Sequence, residues 1–220
     1  MLECIELYEK AQEMHAQNKI LISIDQKTGI QAIERLFPDK LVKPGFIKKR
    51  EHSYKRHGTK NLIAGFVVAT GKVIGKCYDR NRNIEFRNIL SIIYEENKTR
   101  DEIHFIADNY GTSTHLNTCL LVAKLCKIDI GENDLKTKQQ RVEFLKKDGK
   151  KIIFHFLPIH ASWLNQIEIW FSILQRKIIK CGNFSSIKDL EKKIKNYIEK
   201  DWNINAHPFQ WTYNGKVCCA

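Results

Sequence analysis

The sequence lacks the cysteine spacing of a zinc-binding or disulfide-bonded protein. Its seven cysteines include no CxxC pair and their number is odd, so neither a zinc ribbon nor a disulfide framework is indicated. The sequence also has no apolar run of about 18 residues, and its N-terminus has no basic segment followed by an apolar one. We therefore expect no membrane span and no signal peptide, and reduced thiols favour a cytoplasmic protein.

Acidic residues are few relative to basic ones. There are 25 Asp and Glu against 37 Lys and Arg, which gives a formal net charge of +12. Such a balance favours a polyanionic partner, although a basic surface without functional meaning would give the same composition. Hydrophobic residues make up 43% of the 220 residues, which is enough for the core of one domain, with or without an appended piece.

The pattern of apolar residues predicts alternating strands and helices. Short apolar runs predict strands at 19–25, 61–70, 73–78, 102–108 and 151–156. Helical periodicity predicts helices at 3–17, 83–96, 112–127, 163–180 and 185–202. The polar stretch 129–150 is interpreted as a surface insertion with one helix at 134–148, and Ser162 as the N-cap of the helix that follows. This order predicts an α/β fold, with a mixed sheet and helices on both of its faces.

Three acidic residues stand where functional groups would gather. Asp25 closes the apolar run ILISID and Asp108 closes IHFIAD, and functional groups in α/β sheets gather at the carboxyl ends of strands. Glu168 lies on a narrow polar stripe of the apolar helix 163–180. Each acid alone also has a structural interpretation, as a turn residue or as part of a solvent-facing stripe. Trp163 and Trp170 of the same helix are expected in the core rather than as base-stacking groups.

Three carboxylates that converge repel one another unless a cation lies between them. Clusters made only of carboxylates suit Mg²⁺ or Mn²⁺, which prefer oxygen ligands. Two such ions, about 3.5–4 Å apart, would hold the attacking and leaving oxygens of a phosphoryl displacement. A basic surface would attract the phosphodiester, so the acids and the charge indicate the same class of substrate.

Five stretches of the sequence together carry a resemblance to a known family. They are SIDQKTGIQAIER around Asp25, YKRHGT at 54–59, FIADNYGTSTH around Asp108, FHFLPIHASWLNQIEIWFSIL around Glu168 and HPFQWTYNGK at 207–216. With these stretches the chain resembles the insertion-sequence-630 group of bacterial transposases, within the mariner-like DDE superfamily. The resemblance covers nearly the whole chain, and the block around Glu168 is its most specific part. It implies an RNase H-like five-stranded fold and DNA strand cleavage and transfer. Asp25, Asp108 and Glu168 would be the catalytic ligands of Mg²⁺ or Mn²⁺, with two ions expected.

Further site residues follow from the same motifs. Asn109 and Asn165 are expected to shape the site through hydrogen bonds. His115 and His160 would either orient the scissile phosphate or serve as structural histidines. The residues expected to bind DNA phosphates, unless their segment is an ordinary solvated loop, are Lys48, Lys49, Arg50, Lys55, Arg56 and His57.

Three departures from the family pattern bear on function. Gln26 stands where glutamate is common, next to the first catalytic aspartate. The gap between Asp108 and Glu168 is long, which the insertion 129–150 explains. Only 24 residues precede Asp25, so we expect the helix-turn-helix segment of the family to be absent.

The expected organisation is a lead-in helix at 1–18, a DDE catalytic domain at 19–205 and a C-terminal tail at 206–220. Double-stranded DNA is the expected partner, as transposon ends and as target. A homodimer in a synaptic complex and a separate helix-turn-helix subunit are further expected partners, in a bacterial cytoplasm near the nucleoid. Two alternatives stay open: an inactive DNA-binding remnant, or an RNase H-like nuclease that acts on another nucleic acid such as an RNA–DNA hybrid.

Overall fold

The computed structural model describes residues 2–37, 53–108, 111–131, 133–159 and 161–213. Within these ranges one mixed sheet has the strand order β3-β2-β1-β4-β5. Its strands are β1 Lys19–Arg35, β2 Tyr54–Val67, β3 Val73–Tyr78, β4 Glu102–Ala107 and β5 Ile152–Phe156. The α-helices are α1 Leu2–Ala16, α2 Asn83–Glu96, α3 Leu116–Cys126, α4 Lys138–Lys146, α5 Gln166–Leu174 and α6 Ile187–Asn196. The expected mixed five-stranded sheet with flanking helices is confirmed.

The central strand β1 changes its partners along its length. It pairs in parallel with β4 from Lys19 to Ile24, and it pairs antiparallel with β2 as far as Arg35. The predicted end of this strand at Asp25 is therefore wrong, because the polar continuation stays in a ladder with β2, and such a ladder can face water on one side. We call residues 26–35 of β1 and 54–63 of β2 the arm.

Two hydrophobic cores cover the two faces of the sheet, and β1 contributes to both by alternation. Ile20, Ile22 and Ile24 belong to the core beneath α2 and α3. Leu21 belongs to the core beneath α1, α5 and α6, and the fully buried Ser23 follows it two residues later. Asp25 continues this second series, so its side chain lies on the face that α5 covers.

The helix predicted at 163–180 is divided into three parts. A 3-10 turn at Ser162–Leu164 comes first, then α5, then a π-helical turn at Gln175–Ile179. Asn165 occupies the N-cap position of α5, so the prediction of Ser162 as N-cap is wrong. Trp170 is fully buried as expected, but the prediction that Trp163 lies in the core is wrong, because Trp163 is 54% exposed.

The polar insertion also contributes to the core. Leu135 and Leu145 are buried in the same core as α3, so the segment is not confined to the surface. Arg141 of α4 donates its Nε hydrogen to the carbonyl oxygen of Thr114 over 2.9 Å. It also donates to the carbonyl of Leu135 over 3.1 Å. The insertion is thus tied to the loop that leads from β4 to α3.

The last described residues cross the face of α1 and α5 through a series of aromatic contacts. Phe209 stacks on Phe66 with ring centroids 4.6 Å apart. Trp211 packs on Tyr8 of α1 at 4.8 Å, and Tyr213 meets Trp163 at 5.1 Å. Gly71 permits this course, since it has a φ of +75° and a Cβ there would collide with the backbone of His207. Within the described residues, no helix combines the length and the apolar character that crossing a membrane requires.

Two histidines join α1 to the strands β4 and β5. Nδ1 of His104 lies 3.0 Å from Nε2 of His155, and Nε2 of His104 lies 2.9 Å from a carboxylate oxygen of Glu102. Nδ1 of His155 lies 2.8 Å from a carboxylate oxygen of Glu3 in α1. Burial lowers the pKa of His104 below its ordinary value, so the neutral ring is the form that the fold favours.

Candidate active site

The register of β1 and β4 places two of the three acids side by side. Ile24 pairs with Ala107 in the last position of the parallel ladder, and Asp25 and Asp108 are the next residues of each strand. Neighbouring strands lie about 4.8 Å apart. The two aspartates therefore stand at adjacent positions where β4 ends.

Asp25 is held by two hydrogen bonds in a half-buried position. Its Oδ1 accepts from the backbone N–H of Gln26 over 2.7 Å, and its Oδ2 accepts from Nδ2 of Asn165 over 3.1 Å. Burial, aided by the negative charges of Glu168 and Asp108, raises the pKa of Asp25 to about 6, although both hydrogen bonds lower it. The negative charges of Glu168 and Asp108 thus both act on the carboxyl of Asp25.

Glu168 lies in the first turn of α5. On the polar stripe of this helix it stands between Asn165 and Ser172. Asn165 before it is fully buried, whereas Ser172 after it is exposed. Burial raises the pKa of Glu168, and the positive charge of Lys27 in the arm lowers it. Glu168 therefore stands at the margin of the core, on the side of β1.

Asn165 fixes the beginning of α5 to β1. Its Nδ2 donates to the carbonyl of Ile24 over 3.1 Å as well as to Asp25, and its Oδ1 accepts from the hydroxyl of Ser23. The same hydroxyl oxygen accepts from the backbone N–H of Ile167 over 3.0 Å. This buried network sets the position of the helix that carries the third acid. Asn165, which was expected to shape the site through hydrogen bonds, makes three of them in this network.

The loop after Asp108 is held from three directions. The hydroxyl of Ser113 donates to the carbonyl of Asp108 over 2.9 Å, and Nε2 of Gln26 lies 3.4 Å from Oγ1 of Thr112. Asn83 at the start of α2 donates to the carbonyl of Thr112 over 3.0 Å. Gln26, which replaces the glutamate common at this position, therefore contacts the loop that follows the second acid.

Sequence reasoning did not identify Ser23, Asn83 or Arg141 as residues of the site. A signal for Ser23 was present, because it is the single hydroxyl in the apolar run KILISI, and a buried hydroxyl requires a hydrogen-bond partner. No comparable signal marks Asn83 or Arg141, since each is tied to the loop by a bond to a backbone carbonyl that is distant in the sequence.

The remaining predicted residues lie away from the three acids or outside the described part of the chain. His115 is exposed, and its Nδ1 accepts from the backbone N–H of Asn117 over 3.2 Å as the N-cap of α3. Lys55, Arg56 and His57 lie on the arm, beyond the end of β4. The predicted residues outside the described ranges are Lys48, Lys49, Arg50, Asn109 and His160.

Two of the arm residues have partners within the arm. His57 Nε2 lies 2.7 Å from a carboxylate oxygen of Glu34. The guanidinium of Arg56 donates to the hydroxyl of Tyr54 over 2.9 Å and lies 5.3 Å from the centre of that ring. Lys55 and Arg56 remain exposed, so both positive charges are accessible to a polyanion.

The chemistry of the acids fits a hard divalent cation. Among the described residues, no three His, Cys, Asp or Glu side chains lie close enough to enclose one metal ion. Mg²⁺ does not require such a cage, since it usually binds through one or two carboxylates and keeps several waters. The mutual repulsion that helps to raise the pKa of Asp25 is what a cation would relieve. An oxygen-only donor set of this kind fits Mg²⁺ or Mn²⁺.

Comparison with known proteins yields one family and several solved structures. The sequence model of the family described as "DDE superfamily endonuclease" matches residues 21–191. The Mos1 transposase paired-end complex with left transposon end is similar, with a TM-score of 0.54, 12% identity, and coverage of 91% of this chain and 53% of that chain. The Mos1 mariner paired end complex with Mn has a TM-score of 0.53, 12% identity, and coverage of 91% and 54%.

A pre-cleavage Mos1 transpososome is also similar, with a TM-score of 0.52, 11% identity, and coverage of 91% of this chain and 54% of that chain. The present chain spans about half the length of the chains in these structures, 53% in the first. The likeness confirms the expected RNase H-like fold. None of the curated proteins matches the chain.

Proposed function

Because the chain belongs to the DDE superfamily of endonucleases, we propose that it is the catalytic domain of a transposase of the insertion-sequence-630 group. The proposal is carried by one observation: Asp25 and Asp108 directly follow the last pair of the parallel ladder between β1 and β4, and Asn165 at the start of the helix that bears Glu168 donates to the Asp25 carboxylate. The assignment to the group is supported by the motif HASWLNQIE, which ends at Glu168.

The proposed reaction is a pair of in-line phosphoryl displacements. In the first, water attacks the phosphorus of a phosphodiester, a new P–O bond forms, and the bond to the 3′-oxygen breaks. The 3′-oxygen leaves with a proton as a free hydroxyl. In the second, this hydroxyl attacks a phosphodiester of target DNA and displaces the 3′-oxygen of the target strand.

The three acids would share the binding of Mg²⁺ or Mn²⁺. Asp25 and Asp108, at adjacent positions, would bind the ions jointly, and Glu168 would complete the coordination from α5. When bound, such ions stabilise the charge that develops on the phosphoryl group and on the attacking and leaving oxygens. Asn165 keeps the Asp25 carboxylate in a fixed orientation (3.1 Å), which preserves the geometry that displacement requires.

The basic arm provides a place for the DNA backbone. Lys55 and Arg56 are exposed on the same strand pair that continues from Asp25. Phosphate contacts position a duplex without reading its sequence. In our proposal, recognition of the transposon ends comes from a helix-turn-helix segment or subunit, and two copies pair the ends in a synaptic complex. The proposed setting is the bacterial cytoplasm.

A cleavage assay with matched variants tests the proposal. The purified chain is incubated with supercoiled plasmid in Mg²⁺ or Mn²⁺, beside Asp108→Asn and the control Ser172→Ala, whose side chain is exposed on α5. We expect metal-dependent nicks from the wild type and the control. Asp108→Asn should lose nicking, while gel shifts show that it still binds DNA.

Three other results would contradict the proposal. A wild type that binds duplex DNA but nicks nothing with either metal would be an inactive remnant. Cleavage restricted to an RNA–DNA hybrid would identify a nuclease with another substrate. Nicking that survives in Asp108→Asn would place the chemistry elsewhere in the protein.

A further inference from the structure

Trp163 is a large aromatic residue that the fold leaves accessible beside the acidic site. Trp163 is 54% exposed, whereas Leu164 next to it and Trp170 in α5 are fully buried. Single exposed apolar residues are ordinary on protein surfaces. Trp163 differs from such residues because it stands two residues before Asn165, which contacts Asp25, and because it packs against the aromatic ring of Tyr213.

The backbone of Trp163 is fixed in relation to Asp25. Its 3-10 turn is closed by a bond from the N–H of Asn165 to the carbonyl of Ser162, 2.8 Å long. The carbonyl of Leu164 accepts from the hydroxyl of Tyr8 over 2.8 Å. Asn165, two residues after Trp163, contacts the Asp25 carboxylate. The indole thus projects from a rigid turn at the margin of the site.

Tyr213 packs against the indole of Trp163. The two ring planes are inclined by 80°, with centroids 5.1 Å apart, which is an edge-to-face arrangement. Tyr213 is brought there by the contacts of Phe209 and Trp211 with Phe66 and Tyr8. Because Trp163 remains 54% exposed beside this neighbour, and the indole makes up most of a tryptophan side chain, the exposed part of Trp163 includes aromatic surface.

We propose that Trp163, supported by Tyr213, is a stacking site for an unpaired base of the DNA strand at the acidic site. Bases inside a duplex are stacked on one another and offer no face to a side chain, so an aromatic platform selects for an unpaired base. The net charge of +12 attracts the DNA backbone but does not fix a base. Trp163 would fix one base, and with it the phosphodiester presented to Asp25. This inference rests on the proposed function.

Binding measurements on single-stranded and duplex DNA test the inference. The probes are a fluorescein-labelled oligothymidylate and a blunt duplex, and the readout is fluorescence anisotropy. Base stacking on an aromatic side chain corresponds to a change of about 5- to 150-fold in affinity. We expect Trp163→Ala to weaken oligothymidylate binding within that range and duplex binding by less than about twofold.

Two further variants separate stacking from a structural effect. Trp163→Phe keeps an aromatic face and should retain most of the affinity for the single strand. Ile204→Ala is the control, because Ile204 is 71% exposed in the 3-10 turn Asn203–Asn205. It should change the affinity neither for the oligothymidylate nor for the duplex. Equal losses for both probes in Trp163→Ala, or unchanged affinity for the oligothymidylate, would overturn the inference. It would also be overturned if Trp163→Ala changed the oligomeric state, by light scattering, and left strand affinity unchanged.

Nicking by the wild type, measured in parallel, distinguishes the two proposals. A wild type that nicks DNA, beside a Trp163→Ala variant with normal strand affinity, refutes the stacking site and leaves the proposed function standing. Strand binding that depends on Trp163, in a protein that never nicks DNA with Mg²⁺ or Mn²⁺, refutes the proposed function and leaves the stacking site standing.

Discussion

Replacement of Asn165 by alanine should disturb both the stability of the fold and the reactivity of the site. Asn165 is fully buried and makes three side-chain hydrogen bonds, to Ser23, to the carbonyl of Ile24 and to the Asp25 carboxylate. The alanine variant leaves all three groups without this partner. Since the bonds join the start of α5 to β1, their loss loosens Glu168 relative to Asp25.

The size of the effect follows from the number and type of these bonds. Two bonds between neutral groups contribute about 0.5–1.5 kcal/mol each, and the bond to the carboxylate about 1.5–3 kcal/mol. The contributions are not additive in one network, so we expect a loss of about 3 kcal/mol in the free energy of unfolding. For a chain of this size that corresponds to a decrease of about 6–12 °C in Tm. A shift of about 1 Å in a catalytic group costs on the order of 100-fold in rate.

Thermal unfolding followed by circular dichroism in EDTA measures the first effect, and plasmid nicking in Mg²⁺ measures the second. Ser172→Ala is the matched control, because its exposed hydroxyl donates to the carbonyl of Glu168 on the same helix. It should change stability by less than about 0.5 kcal/mol. If Asn165→Ala unfolded at the wild-type temperature and nicked at the wild-type rate, the network would not position the site.

Three further predictions concern the metal, the pH and the arm. Mg²⁺ should raise the Tm of the wild type by preferential binding to the folded state, and Asp25→Asn should lose this increase. In EDTA the variant should unfold at or above the wild-type temperature, because one of three like charges is gone. A large metal-dependent increase in the Tm of the variant would contradict the assignment of Asp25 as a metal ligand. Burial lowers the pKa of His104 below 6.5, so just below that pH the unfolded chain binds more protons than the folded chain. The stability contributed by neutral His104 is present above pH 6.5 and is lost as the pH falls through the folded-state pKa. With falling pH, the Tm of His104→Gln should therefore decline less steeply than that of the wild type, and an equal slope would refute this origin. Lys55→Ala combined with Arg56→Ala should reduce the slope of log affinity against log salt concentration by about 2 for duplex DNA. Fluorescence anisotropy at several salt concentrations measures this slope, and an unchanged slope would exclude phosphate contacts by these two residues of the arm.

The main features of the fold were predictable because buried strands and amphipathic helices leave a direct pattern in the sequence. The apolar runs before Asp25 and Asp108 predicted the two strands whose pairing places these acids at adjacent positions. The arm was not predicted, because a strand with one wet face has no continuous apolar run. Residues 26–35 are mixed in polarity, and only their ladder with β2 identifies them as a strand.

The details around the third acid depend on tertiary contacts. Helical spacing places Asn165 and Ser172 on one polar stripe with Glu168, but Asn165 is fully buried whereas Ser172 is exposed. Ser162 had the chemistry of an N-cap, yet the helix begins later, where the Asn165 side chain bonds to β1. Trp163 was predicted to be buried from its type, and the 3-10 turn turns it outward instead.

The parallel pairing of β1 with β4 has a consequence for the order of events during synthesis of the protein. Asp25, Asp108 and Glu168 lie on three segments that are far apart in the chain, and contacts between distant segments form slowly because a long loop must close first. A nascent chain that ends before α5 has two of the acids and no Glu168. The three acids of the proposed site therefore come together only after α5 has left the ribosome and docked on β1, so an incomplete chain that ends before α5 cannot assemble that site.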